Sequence, residues 1–283
     1  MAEPVPVDQE LERVALSIGI PPCPAILMDL LAESKKDDPN TQRIEKLVAM
    51  DVGLTAALLK TVNSPYFGLS TKLSTVRQAI SILGFSMMSR TVSGLVLKNV
   101  FSSKDRASME QFWDNSAKLA MVSAFIAKQI PGLKKDESYT YALFQNCGVP
   151  ILMQRFPEYA GTFERASSSL EKKFTEIEEE AHGTNHATMG YILTKSWHLP
   201  EEISQAIRYH HDGGILNDAA AKLPDASKNL IALGLLANHA LSQQADQAAS
   251  REWVCDGALA LSHLGVAAEE FADIVADVKI MLE

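Results

Sequence analysis

Five histidines of this 283-residue chain, out of seven in all, fall between positions 182 and 211: His182, His186, His198, His210 and His211. Imidazole is the side chain best suited to metal ligation and to proton transfer near neutral pH. The stretch A-H-G-T-N-H-A-T-M-G-Y-I-L-T-K-S-W-H-L-P-E-E-I-S-Q-A-I-R-Y-H-H therefore reads first as part of a metal site. A divalent centre that hydrolyses phosphates also needs carboxylates converging from other helices, and coordination positions left open for water and substrate. The sequence carries no H-E-x-x-H motif, Walker loop or G-x-S-x-G elbow.

Apolar residues recur at three and four positions almost throughout, and no run of alternating β-branched residues bounded by turn signals appears. The expected fold class is all-α, a multi-helical bundle. His186, Met189, Leu193 and Trp197 share one helical face. The next helix opens on Pro200 with Glu201 and Glu202 in its first turn, as the helix dipole favours. Its stripe of Ile203, Ala206 and Ile207 continues onto His210 and His211, so at least one of that pair faces the core. His182 and His198 are expected at the surface, although His182 would join His186 if one helix carried both.

Upstream, the spacing predicts helices over Gln9–Ile18 and Ala25–Ala32, with Gly19 and I-P-P-C-P between them. Asn40 and Asp51 are expected as N-caps, and N-S-P-Y-F-G as a chain reversal in which Asn63, Ser64 and Gly68 are turn residues. Thr75 and Gln78 fit a capping box, Gly84 a helix stop, and a further helix runs to Phe101. A long amphipathic helix from Ser108 to Ile130 puts Asn115 and Ser116 on the buried face of Phe112. Another, Glu137–Phe156, carries Gln145, Asn146 and Cys147 near its middle and is interrupted at Pro150. Trp113 and Trp197 are expected in the core. The E-K-K-F-T-E-I-E-E-E run at 171–180 reads as a solvated helix face.

A 47% apolar content supports a substantial core, and a formal charge of −9, from 26 basic and 35 acidic residues, argues against nucleic acid as a partner. No secretory signal or apolar run of about 18 residues is read in the chain, Leu230–Leu241 being the nearest candidate; no membrane is expected. Cys23, Cys147 and Cys255 form no C-x-x-C pair and are expected as free thiols in the cytoplasm, Cys147 as an inert buried one.

Five segments, in order, carry a family resemblance: I-P-P-C-P-A-I-L, D-V-G-L-T-A-A-L-L-K-T-V-N-S-P-Y-F-G, T-V-R-Q-A-I-S-I-L-G, F-W-D-N-S-A and the histidine stretch itself. Over about Leu16–His211 the chain resembles the HDOD domain of bacterial signalling proteins. The resemblance implies three parts: an N-terminal helical subdomain over 10–104, a degenerate HD-like subdomain over 105–214 and a C-terminal helical extension over 215–283. HDOD domains are similar in fold to the HD and HD-GYP metal-dependent phosphohydrolases, which place a histidine on one helix, a His-Asp doublet on the next and more histidines later. Position by position, the first histidine falls at Asn115 and the doublet at Gln145-Asn146, while the later histidines fall at His186, His210 and His211.

The resemblance thus implies a pocket of Asn115, Gln145, Asn146, His186, His210 and His211 with no catalytic residue. No cofactor is expected, because Asn in place of Asp removes both a strong ligand and a charge that offsets the dication. The histidines then fill the former metal pocket, bonded to the amides. Alternatives are a small-ligand pocket, or a residual metal held by His182, His186, His210 and His211. The implied function is regulatory, through signalling proteins or a small nucleotide-like ligand, with a homodimer left open; the competing class is a metal-dependent phosphohydrolase of nucleotides or cyclic dinucleotides.

Overall fold

The computed structural model describes residues 18–34, 36–64, 67–101, 106–218, 221–245 and 247–282, apart from the side chains of 34 and 106–108. Among the described residues the chain is helical, with no strand. It divides into two compact units: Pro22–Ser102 with Met281–Glu283, and Ser103–Ile280 with the residues up to Pro21. The expected helix over Gln9–Ile18 lies outside the described residues, except at Ile18, which sits in a turn.

In the first unit, α1 (Ala25–Ser34), α2 (Thr41–Met50) and α3 (Val52–Val62) pack on α4 (Val76–Val100). Their starts are written in polar side chains. Asn40 accepts from the Arg43 N–H at 2.9 Å and Asp51 from that of Leu54 at 2.9 Å, each satisfying a donor the helix cannot. Thr75 and Gln78 form the reciprocal capping box. Gly84, at φ 78° and ψ 160°, interrupts α4 with a conformation that disfavours side chains, so the expected stop is a kink between two helical segments. Asn63 closes the chain reversal, donating from Nδ2 to the Leu73 carbonyl at 2.8 Å and accepting its N–H at 2.7 Å. The core is Leu27, Leu30, Ile44, Val48, Leu58 and the Met88–Val92–Leu97 face of α4.

Among the described residues one helix, α4, is long and apolar enough to cross a membrane by length and composition, which the sequence reading missed in favour of Leu230–Leu241. The latter lies within a helix whose Leu230, Ile231, Leu233 and Leu236 are buried.

The second unit begins with α5 (Arg106–Ala127), α6 (Lys135–Phe144), α7 (Val149–Arg155) and α8 (Tyr159–Ser168). It continues through α9 (Phe174–His182), α10 (His186–Ser196), α11 (Glu201–Tyr209) and a 3-10 turn, Gly213–Leu216. Helices α12 (Asp225–Gln244), α13 (Arg251–Leu264) and α14 (Ala268–Leu282) complete it. Helix α12 runs through the interior, packing on α5, α11 and α13. The expected helix over Glu137–Phe156 is two, because the chain turns at 145–148 and Pro150 sits in the first turn of α7, where its missing N–H costs nothing. Trp113 and Trp197 are buried, and the Trp197 indole donates to the Pro21 carbonyl at 3.0 Å.

Candidate functional site

Three chain breaks set the imidazoles in place. Helix α9 ends at His182, with Gly183 at φ 70° in the left-handed region. Asn185 then caps α10, accepting from the Thr188 N–H at 2.7 Å, so His186 opens a new helix. His210 and His211 follow the last turn of α11. Ser250 caps α13 and puts Glu252 in its first turn, where the helix dipole favours a carboxylate.

The imidazole of His186 meets those of His210 and His211 edge-on, and the latter two are tilted at 43°. His186 Nε2 is 3.2 Å from His210 Nε2 and 3.1 Å from His211 Nε2, and one ligand atom from each of the three lies within 4.8 Å of the others. Every Nδ1 is occupied on the opposite side: His186 by Glu178 Oε2 at 2.7 Å, His211 by Glu252 Oε1 at 3.0 Å, and His210 by the Ile207 carbonyl at 2.7 Å. Phe174 stacks on His211 and meets His186 edge-on. His186 and His210 are 1% and 4% exposed, while His211 is half-buried.

Glu178 is fully buried, at 0% exposure. It accepts from the His186 ring, from the His186 backbone N–H at 3.1 Å and from the Tyr159 hydroxyl. Burial would raise its pKa, but the charge and hydrogen bonds of His186 and the Tyr159 bond hold it below the usual carboxylate range. Burial likewise opposes ionisation of Glu252, yet bonds to His211, its own backbone and Ser250 bring it down to about 2. His186 is lowered by burial against the pull of Glu178, and His210 is lowered further, by burial and then by the two neighbouring imidazoles.

Of the residues expected in one pocket, the structure brings His186, His210 and His211 together. His182 stands apart, with its Nε2 3.0 Å from Thr162 Oγ1 and its ring stacked on Phe156, because the helix break at Gly183 separates it from His186. His198 is exposed. Asn115 is exposed rather than buried, because the buried stripe of α5 runs through Trp113, Ser116, Ala120 and Ser123 and not through Phe112. Gln145 is buried with its Oε1 unpartnered, and Asn146 is half-buried. Among the described residues no hydrogen bond joins these amides to the imidazoles; Glu178, Glu252 and a carbonyl fill that role instead. The amide corner does back the site, since a Cβ on Gly148 would lie 2.0 Å from the His186 carbonyl oxygen. Only Gly permits that approach.

Glu178 and Glu252 were missed. The 171–180 run is not uniformly solvated: Glu178 and Ile177 are buried, Phe174 is half-buried, and Glu176, Glu179 and Glu180 are exposed. The spacing Phe174–Ile177–Glu178–Ala181 carried the signal, since it places Glu178 within an apolar helical face. Glu252 had no comparable signal.

The family model of the HDOD domain matches residues 20–213. The chain belongs to the HDOD domain family. Relatives in sequence include an uncharacterized protein of Treponema pallidum (strain Nichols), 25% identical over 226 residues, a match covering 74% of this chain and 42% of that protein. The protein YuxH of Bacillus subtilis (strain 168) is 31% identical over 101 residues, 36% of this chain and 24% of YuxH. The chain thus matches less than half the length of these relatives. An HDOD domain protein of Geobacter sulfurreducens superposes with a TM-score of 0.69 at 20% identity, covering 96% of this chain and 97% of that one. A candidate signal transduction protein of Marinobacter aquaeolei VT8 does so with 0.75 at 18%, covering 97% and 64%. A candidate phosphohydrolase of Shewanella amazonensis SB2B gives 0.73 at 16%, covering 96% and 94%. These likenesses establish the shared HDOD fold.

The two-metal centre of an HD hydrolase does not fit the residues present. Among the described residues the atoms that converge are imidazole nitrogens, and the two carboxylates bonded to the rings, Glu178 and Glu252, are spent on their far side. Gln145 leaves an orphaned amide oxygen, and Asn146, which the resemblance sets against the Asp of the doublet, is an amide and not a carboxylate.

Proposed function

We propose that this HDOD protein is a non-catalytic regulator acting in the cytoplasm through protein partners or a small signalling ligand. The observation that carries the reading is the donor set: among the described residues imidazole nitrogens alone converge, and Gln145-Asn146 stand where the resemblance to the hydrolases puts the His-Asp doublet. Without a bridging carboxylate, two metals cannot clamp the attacking and leaving oxygens of a phosphodiester. The description of the Marinobacter structure as a candidate signal transduction protein supports the same reading.

The competing reading, a metal-dependent phosphohydrolase of a nucleotide or cyclic dinucleotide, draws on the three converging imidazoles and on the description of the Shewanella protein. Incubation of the purified chain with nucleotides, cyclic dinucleotides and an aryl phosphodiester in Mn²⁺, Fe²⁺ or Mg²⁺ separates the two. Product formation equal to that of a His186→Ala, His210→Ala double variant supports the regulator; turnover that the double variant loses overturns it.

A further inference from the structure

We propose that the segment 169–174, which leads from α8 into α9, is a lid that opens and closes over the imidazole cluster, with Phe174 as its plug. The lid stands on the contacts around His211 and does not depend on whether the chain regulates or hydrolyses.

Three contacts of the segment land around one ring. Phe174 stacks on His211 with centroids 5.2 Å apart and planes at 23°, and meets His186 edge-on at 5.1 Å. Lys173 Nζ reaches Oδ1 of Asp212, the residue after His211, at 2.9 Å. The Glu171 carbonyl accepts from Arg251 Nε at 3.4 Å, and Arg251 precedes Glu252, the partner of His211 Nδ1. His211 is thus held at its edge by Glu252 and covered on one face by Phe174. The segment is also tied to itself: Ser169 Oγ accepts from the Lys172 N–H at 3.1 Å, and Glu176 from that of Lys173 at 3.0 Å, so these residues move as one piece.

The strength of the fastenings changes sharply within the first turns of α9. Glu178, one turn beyond Phe174, is fully buried and grips His186 by ring and backbone. Breaking a buried pair of this kind is costly. The lid is fastened at the surface instead: the Lys173 and Asp212 side chains are 33% and 50% exposed, and the Arg251 bond is exposed as well. Exposed pairs contribute little, and segments held by exposed bonds open before buried ones. Opening therefore frays the first turn of α9, uncovers His211 and stops at Glu178. Phe174 keeps an aromatic neighbour as it leaves, because Phe163 of α8 meets it edge-on at 5.3 Å.

The test is carbethoxylation of the full chain by diethyl pyrocarbonate, read at each histidine by mass spectrometry. Phe174→Ala, which removes the plug and no charge, should speed labelling of His211 about tenfold, the loss of one aromatic stack. Lys173→Ala should speed it about two- to fivefold, as the loss of an exposed ion pair allows. Lys172→Ala removes the same charge one residue away, from a pair with Glu180, and should label as the unaltered chain does. In Lys173→Ala the Ile177 amide, bonded to the Lys173 carbonyl, should exchange faster, while the His186 amide, bonded to Glu178, keeps its rate. His211 labelled no faster in Phe174→Ala and Lys173→Ala than in the unaltered chain, or equally fast in Lys172→Ala and Lys173→Ala, overturns the lid. Should circular dichroism show that Phe174→Ala fails to fold, the two lysine variants decide the matter.

Discussion

Glu178 grips His186 twice, at the ring Nδ1 over 2.7 Å and at the backbone N–H over 3.1 Å, so one buried carboxylate fixes both the tautomer of the imidazole and the first turn of its helix. The same carboxylate takes the Tyr159 hydroxyl, tying α8, α9 and α10 together.

Glu178→Ala should cost about 3–5 kcal/mol in denaturant unfolding, because it strands two N–H donors and a hydroxyl in a buried site. Glu178→Gln, which keeps the shape and loses the charge, should fall between. A loss below about 1 kcal/mol for the alanine variant, the range of a surface pair, would show that the carboxylate is not buried as described.

Gly148→Ala should destabilise the chain by about 1–3 kcal/mol or more, since its Cβ would meet the His186 carbonyl oxygen at 2.0 Å and push α7 from α10. Gly148 has ordinary helical φ and ψ, so the helix propensity of alanine alone predicts a gain. The sign of the change in unfolding midpoint separates the two.

The pH dependence follows from His186 and His210, both held below the ordinary histidine value. As pH falls below about 6.5 the unfolded chain takes up these protons first, so stability is full above that value and declines towards the depressed folded values. Unfolding midpoints of chelator-treated protein should therefore fall between pH 7.5 and 5, and fall less in His210→Gln. Midpoints that rise towards pH 5 would contradict the buried neutral rings.

Asn63→Ala should cost about 1–3 kcal/mol, the loss of two hydrogen bonds to the Leu73 backbone. The loss belongs to the Pro22–Ser102 unit and should leave the hydrogen exchange of His186 and His210 amides unchanged. Slowed or unaltered exchange around Leu73 would contradict the role of Asn63 as a clasp.

The helical fold was legible because its signals are local: Asn40, Asp51 and Thr75 cap the helices they precede, and Gly84 breaks the one it interrupts. His186 was legible because it shares the apolar face of α10, and at least one of His210 and His211 because they continue the apolar stripe of α11. Asn115 was misplaced because Phe112 and Trp113 are adjacent and point about 100° apart, and the larger ring set the buried face. Glu252 lies 41 positions beyond His211, and only the docking of the 3-10 turn against α13 brings it to the site. No periodicity within one helix reports a contact of that range. Glu178 was hidden for a different reason, by acidic neighbours that do face solvent.

That Glu178, the Ile207 carbonyl and Glu252 hold the Nδ1 protons of His186, His210 and His211 is tested most directly by long-range ¹H–¹⁵N correlation of the histidine rings in chelator-treated protein at pH 7.5. The geometry predicts a proton on Nδ1 of all three rings, directed at Glu178, Glu252 and the Ile207 carbonyl. Rings protonated on Nε2 alone would contradict it.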